Sequence, residues 1–336
     1  MDTVQTTLWV VVMLVVLAVL FDFMNGFHDA ANAIATVVST GVLKPGQAVI
    51  FAAFFNVVAI FFFHFTVAAT VGKGIVQPGV VDTHVVFGAL LGAISWNFIT
   101  WYYGIPSSSS HALIGGIVGA VIAKSGAGVL VSAGILKTVA FIFISPLLGF
   151  LLGSLMMVLV AWIFRRVRPL KVDKWFRRLQ LVSAGAYSLG HGGNDAQKTI
   201  GIIWMLLIAT GYANATDTSP PTWATVSCYL AIGAGTMFGG WRIVRTMGQK
   251  ITKLKPVGGF CAETGGAITL FMATAIGVPV STTHTITGAI VGVGSVQRAS
   301  AVRWGVAGSI IWAWIFTIPA SAFVAAIAYW LSLQLF

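Results

Sequence analysis

The sequence has few charges. Only 8 % of its 336 residues are charged and 58 % are hydrophobic, where an average soluble domain carries roughly 25 % charge. So little charge cannot cover a water-facing surface, which excludes a soluble globular fold. Cysteine is nearly absent as well. Cys228 and Cys261 lie in apolar stretches without metal-ligand spacing, so neither a disulfide framework nor a zinc site is expected. No basic region precedes the first apolar run, which leads into Asp22 and the polar stretch 25–29; the run is expected to stay as a helix and not be cleaved as a signal. Acidic residues number 8 against 19 basic ones, a net charge of +11. That excess could suggest nucleic acid, but the basic residues sit in short loops between apolar segments, where the positive-inside rule accounts for them. No nucleic-acid role is expected.

What is abundant is uninterrupted hydrophobicity, as in 8–20, 85–94 and 139–164. Runs of this kind, without the 3.6-residue stripe of a half-buried helix, predict bilayer-spanning helices. Two basic clusters orient them: Arg165 to Arg178, and Arg242, Arg245, Lys250, Lys253 and Lys255. Both are expected on the cytoplasmic side. The segment 179–211 between them would measure about 50 Å as one helix against a hydrocarbon core of about 30 Å. It is therefore expected to break at the glycine-rich stretch 188–195, as segment 8–40 is at 23–29. Spans at 49–71, 85–103, 113–123 and 135–164 complete five crossings before the basic loop. Spans at 223–240, 258–276, 283–293 and 304–333 complete five after it, which puts both termini outside.

The two halves share motifs in the same order. Gly26-Phe27-His28-Asp29-Ala30-Ala31-Asn32 aligns with Gly192-Gly193-Asn194-Asp195-Ala196-Gln197-Lys198, and Gly104-Ile105-Pro106-Ser107-Ser108-Ser109-Ser110-His111 with Gly277-Val278-Pro279-Val280-Ser281-Thr282-Thr283-His284. An odd number of crossings per half inverts the second copy, as in transporters whose repeats place a binding site at the midplane.

The repeated elements are polar, which points to function. An ionised carboxylate within a span costs about 2.5–3.5 kcal/mol on insertion scales, so Asp29 and Asp195 are expected to face a pathway and bind a cation or proton; the alternative is that they only cap half-helices. Asn32, on the face of Asp29, could offer an oxygen to the same ion. In the two turns, proline followed by Ser108, Ser109 and Ser110, or by Ser281, Thr282 and Thr283, starts a helix whose free amides and hydroxyls suit an oxyanion, with plain capping as the alternative. His28 is a candidate proton carrier and His191 a weaker one. His111 and His284 are expected to buttress their turns, and Glu263 could line the path or be interfacial.

These motifs resemble those of the Pit family of inorganic phosphate transporters, in particular its low-affinity bacterial type. The likeness runs from Phe27 to Asn32 and Gly193 to Lys198 through both Pro-x-Ser-x-x-His-type turns and Gly239-Gly240-Trp241-Arg242 to the closing Trp312 to Ala320 stretch. It implies an all-α polytopic membrane protein of two inverted-topology repeats with broken helices, candidate re-entrant hairpins and about ten to twelve membrane segments. The repeats would be 1–162 and 179–336, joined by a basic cytoplasmic linker 163–178.

The resemblance further implies a secondary active importer of phosphate, with arsenate as a mimic, working by alternating access in the bacterial inner membrane, and not an enzyme. It would need no cofactor beyond a coupling proton or sodium ion, with magnesium–phosphate as a candidate cargo and a homodimer as the expected assembly. Ser108, Ser109, Ser110, Ser281, Thr282, Thr283, Asn194 and Lys198 would contact substrate; Asp29, Asp195, His28, Asn32 and Glu263 would handle coupling. Sodium-dependent members tend to carry Asn in both copies of the Asp-x-x-Asn element, whereas here the second copy reads Gln197-Lys198. A fixed ammonium at Lys198 could replace one sodium ion, which favours proton coupling. The rivals are a sodium symporter, a phosphate channel and a membrane-embedded hydrolase.

Overall fold

A computed structural model describes residues 8–77 and 79–336, so the first seven residues of the expected first repeat lie outside it. Among the described residues there are twelve α-helices and no β-strand. The first six are α1 (Leu8–Ser39), α2 (Pro45–Val58), α3 (Thr66–Lys73), α4 (Thr83–Tyr103), α5 (Ser109–Ser125) and α6 (Ser132–Ile163). The other six are α7 (Pro169–Ala209), α8 (Thr222–Phe238), α9 (Trp241–Arg245), α10 (Pro256–Ala275), α11 (Thr282–Gln297) and α12 (Trp304–Leu335). By length and composition α1, α4, α6 and α12 can cross a membrane, and α2 with α3 would make a fifth span.

The expected breaks in the first and seventh helices are not there. Both α1 and α7 are continuous, and α7 runs for 41 residues. Its length is accommodated because Pro169 opens it inside the basic stretch, so that Lys171, Lys174, Arg177 and Arg178, expected in a linker, ride on its first turns. The break lies in the next segment instead. After a 3-10 turn at Ala59–Phe61, the axis bends by 82° into α3. In the second half α8 stops at Gly239, whose φ of 67° requires glycine, before α9 and a π-helical turn at Thr246–Lys250.

The glycines read as helix breakers serve close packing. A Cβ on Gly26 would run into the Ile232 carbonyl of α8, one on Gly235 into the Phe23 carbonyl, and one on Gly192 into the Asn56 carbonyl of α2. Gly193 leaves no room for a Cβ beneath the Phe63 ring. Small residues at such crossings let membrane helices approach backbone to backbone. The same device joins the halves: Gly115 and Gly119 of α5 lie on Ile318 and Ala322 of α12, while Gly288 and Gly292 of α11 lie on Pro146 and Phe150 of α6. The last long helix of each half thus packs on the hairpin of the other.

Candidate functional site

The hairpins α4–α5 and α10–α11 end in matching turns. Gly104 (φ 67°) and Gly277 (φ 68°) occupy the left-handed region. Gly104 N donates to Trp101 O and Ile105 N to Thr100 O, while Gly277 N donates to Thr274 O and Val278 N to Ala273 O. These are Schellman closures. Pro106 and Pro279 follow two residues before the next helix cap, not in its first turn as the sequence suggested. Ser108 and Ser281 are the N-caps, accepting from His111 N at 3.2 Å and His284 N at 3.1 Å. Capping of the third amide leaves the amides of Ser109, Ser110, Thr282 and Thr283 outside the intrahelical ladder.

The two tips abut. Ser110 Oγ donates to Val280 O at 3.2 Å, and the His111 and His284 rings stand 4.6 Å apart. The positive ends of α5 and α11 therefore meet in one place, a setting for an anion. Ser109 Oγ is buried there without a partner.

Helices α1 and α7 bring the charges. Lys198 Nζ lies 2.5 Å from Asp195 Oδ1 and donates to Val280 O at 2.7 Å and to Ser110 Oγ. All three ammonium protons are thereby engaged. From the other half, Asn32 Nδ2 donates to Thr283 Oγ1 at 2.9 Å and Thr282 Oγ1 at 3.1 Å, and Thr282 in turn donates to Asp195 Oδ2 at 3.2 Å. Asp29 Oδ1 accepts from His28 Nδ1 at 2.6 Å, and His28 Nε2 lies 3.0 Å from Thr100 Oγ1. Ligand atoms of Asp29, His191 and Asp195 all fall within 4.8 Å of one another, a set able to hold a cation.

Two expected site residues are differently placed. Asn194 has its amide tied to Thr274 Oγ1, Val278 O and Val280 N, which anchors the second turn and leaves it nothing for a substrate. Glu263 is buried elsewhere, accepting from Gln180 Nε2 at 2.9 Å and Ser183 Oγ at 2.5 Å. Ser183 is 12 residues before Asp195 on α7, about 18 Å along the axis. Glu263 therefore stands well apart from Asp195.

Other residues went unnoticed in the sequence. Thr100 links His28 to Ser107. Gln197, which looked like a lost ligand, reaches Val67 N and Ala68 N and caps α3. Asp22 is fully buried and accepts from Thr199 Oγ1 at 2.9 Å. Its spacing of seven residues from Asp29, two turns on one face, was the available signal.

No side chain of the centre is more than 3 % exposed, so the site is closed to both sides. A cavity of about 510 Å³, lined by Thr100, Pro106, Thr246 and Lys250, comes as near as the partner of His28. Another of about 420 Å³, lined by Phe63, Phe271 and Thr274, reaches the partner of Asn194.

Comparison with known proteins agrees with this architecture. Two relatives are each named as a probable low-affinity inorganic phosphate transporter. That of Rhizobium meliloti (strain 1021) is 60 % identical over 94 % of this chain and 94 % of its own length. That of Bacillus subtilis (strain 168) is 47 % identical over 97 % and 98 %. The solved structure titled "The sodium-dependent phosphate transporter" superposes with a TM-score of 0.89 at 24 % identity, covering 98 % of this chain and 100 % of that one. At that identity the likeness speaks for the fold. The pattern of the phosphate transporter family matches residues 25–325, and this multi-pass membrane chain belongs to that family of transporters, not enzymes.

Proposed function

We propose that the chain imports inorganic phosphate across the bacterial inner membrane, driven by a proton gradient, by alternating access of a single buried site. The observation that carries this reading is the exchange of contacts at the centre. Lys198 of one half bonds to Ser110 of the other half's turn, and Asn32 bonds reciprocally to Thr283. Both turns and both acidic helices are thereby held around one point. The repeated helix order supports two repeats of opposite orientation, with ten main membrane segments.

Phosphate would be received by the free amides of Ser109, Ser110, Thr282 and Thr283 and the Ser109 hydroxyl. Neutral donors suit a cargo that must also leave. Asp29 and Asp195 oppose a bare anion, so binding requires accompanying positive charge. Lys198 is paired with Asp195, whereas Asp29 has His28 beside it. His28 bridges Asp29 to Thr100 and so to a cavity, and the corresponding position of the second copy is the non-titrating Asn194. That asymmetry favours a proton path through His28 in the first half. Release would follow when the halves part along the abutting tips.

The set of Asp29, His191 and Asp195 favours a second cargo, a divalent cation entering with phosphate. Radiolabelled phosphate uptake into proteoliposomes tests the scheme, with sodium, pH gradient and magnesium varied separately. Accumulation that follows the pH gradient without sodium is expected. Strict sodium dependence would overturn proton coupling, and failure to accumulate against a gradient would leave a channel.

A further inference from the structure

Buried carboxylates line the contact of α1 and α7 at successive levels, and they are not equally provided for. Asp195 has Lys198, Asp29 has His28, and Glu263 accepts from two donors. Asp22 has no basic partner. Its Oδ1 accepts from Thr199, but Oδ2 is the one carboxylate oxygen among the described residues that is enclosed and without a donor. One turn further along α1, Asn25 is 2 % exposed and its Oδ1 also lacks a donor. Two acceptors without donors, at zero and 2 % exposure, want a positive species.

We infer that Asp22, with Asn25 and Thr199, forms a second proton-binding site, two helical turns along α1 from Asp29 and one turn along α7 from Asp195. A proton fits better than a metal ion. A metal cation takes about six or more oxygen ligands, whereas only two open oxygens are present, and α8 closes the other side with Cys228 and Tyr229. A proton on Asp22 converts a bare charge into a neutral acid with its own donor.

Every charged or titratable group around it leaves that role to Asp22. On α7 the neighbours are Asp195 and Lys198, which are paired with each other. On α8 the neighbours are the Cys228 thiol and the Tyr229 phenol, neither of them basic. Asp29 is about 10 Å along α1. On α4, His84 is engaged by Ser332, and Tyr102 and Tyr103 are exposed. Phosphate arriving at the centre attracts a proton to Asp22, and by linkage the proton holds the phosphate more tightly. Position 188, the counterpart in the second copy, is a serine bonded to its own helix, so this site belongs to one half only.

The transport arm of the test rests on the phosphate-import reading; the spectroscopic arm does not. In infrared difference spectra of the purified protein, a protonated-carboxyl C=O band is expected to be present, to shift in D2O and to vanish in Asp22→Asn. Thr199→Val, which removes only a hydrogen bond, is expected to shift the same band, and keeps the test alive if the first variant does not fold. In proteoliposomes, Asp22→Asn is expected to remove one proton per phosphate and to lower pH-driven accumulation about tenfold, the effect of a coupling of ordinary size. A band untouched by both variants, or a wild-type proton-to-phosphate ratio in Asp22→Asn, overturns the site. Absence of phosphate uptake by the wild-type protein defeats the import reading and leaves the band to decide on Asp22.

Discussion

Asn32 and Lys198 hold corresponding places in the two halves and make corresponding bonds: Asn32 reaches Thr283 of the second turn, and Lys198 reaches Ser110 of the first. One is a neutral amide and the other a fixed cation. The pair makes matching bonds to the two turns while giving the two halves different charge.

Lys198→Met removes the cation from a buried carboxylate, leaves Ser110 without its donor and leaves Val280 O with Ser110 alone. Breaking a buried pair from one side costs about 3–5 kcal/mol, so a large loss of thermal stability and of uptake is expected. Pairing it with Asp195→Asn is expected to recover part of the stability. Independent, additive losses in that double-mutant cycle would show that the two side chains do not interact.

Ser109 is singled out among the turn hydroxyls because its Oγ has no partner in the closed site, whereas Ser108 and Ser281 spend theirs on caps. Ser109→Ala is expected to raise the KM for phosphate with little change in Tm. Ser108→Ala and Ser281→Ala are expected to cost about 1 kcal/mol of stability each. Unchanged uptake kinetics in Ser109→Ala would remove that hydroxyl from the substrate shell.

Gly193 gives a test of sign. Alanine favours a helix over glycine by about 1 kcal/mol, so a free helical position would gain from Gly193→Ala. Here a Cβ would strike the Phe63 ring, and the variant is expected to lose stability, with recovery in Gly193→Ala/Phe63→Ala. A more stable single variant in thermal melts would contradict the close crossing.

His28→Asn copies the second half, where Asn194 makes the equivalent tether to Thr274. It is expected to fold, to exchange phosphate at equal pH, and to lose most pH-driven accumulation. Wild-type accumulation would exclude His28 as proton carrier.

Hydropathy and the duplicated polar motifs made the membrane class, the helix order and the main cluster legible from sequence, because both are local properties. The glycine stretches misled. Gly192 and Gly193 look like breaks until the helix packed on them is known, since flexibility and close packing call for the same residue. Asp22 was passed over as the end of an apolar run, and Glu263 was grouped with Asp195, about 18 Å away along α7.

The sequence by itself determined that the chain lives in a bilayer, repeats its polar elements and buries acidic side chains. Asp195–Lys198 and Asp29–His28 lie three residues and one residue apart on single helices, but the tertiary structure alone decided which turn each of them meets, with partners 88 and 251 residues apart for Ser110–Lys198 and Asn32–Thr283. The reason is register. Hydrophobic runs set which helices form, but the relative slide of α1, α7 and the two hairpins is fixed by glycine contacts between segments far apart in the chain, and a shift of one turn would give Asn32 and Lys198 different partners on the turns.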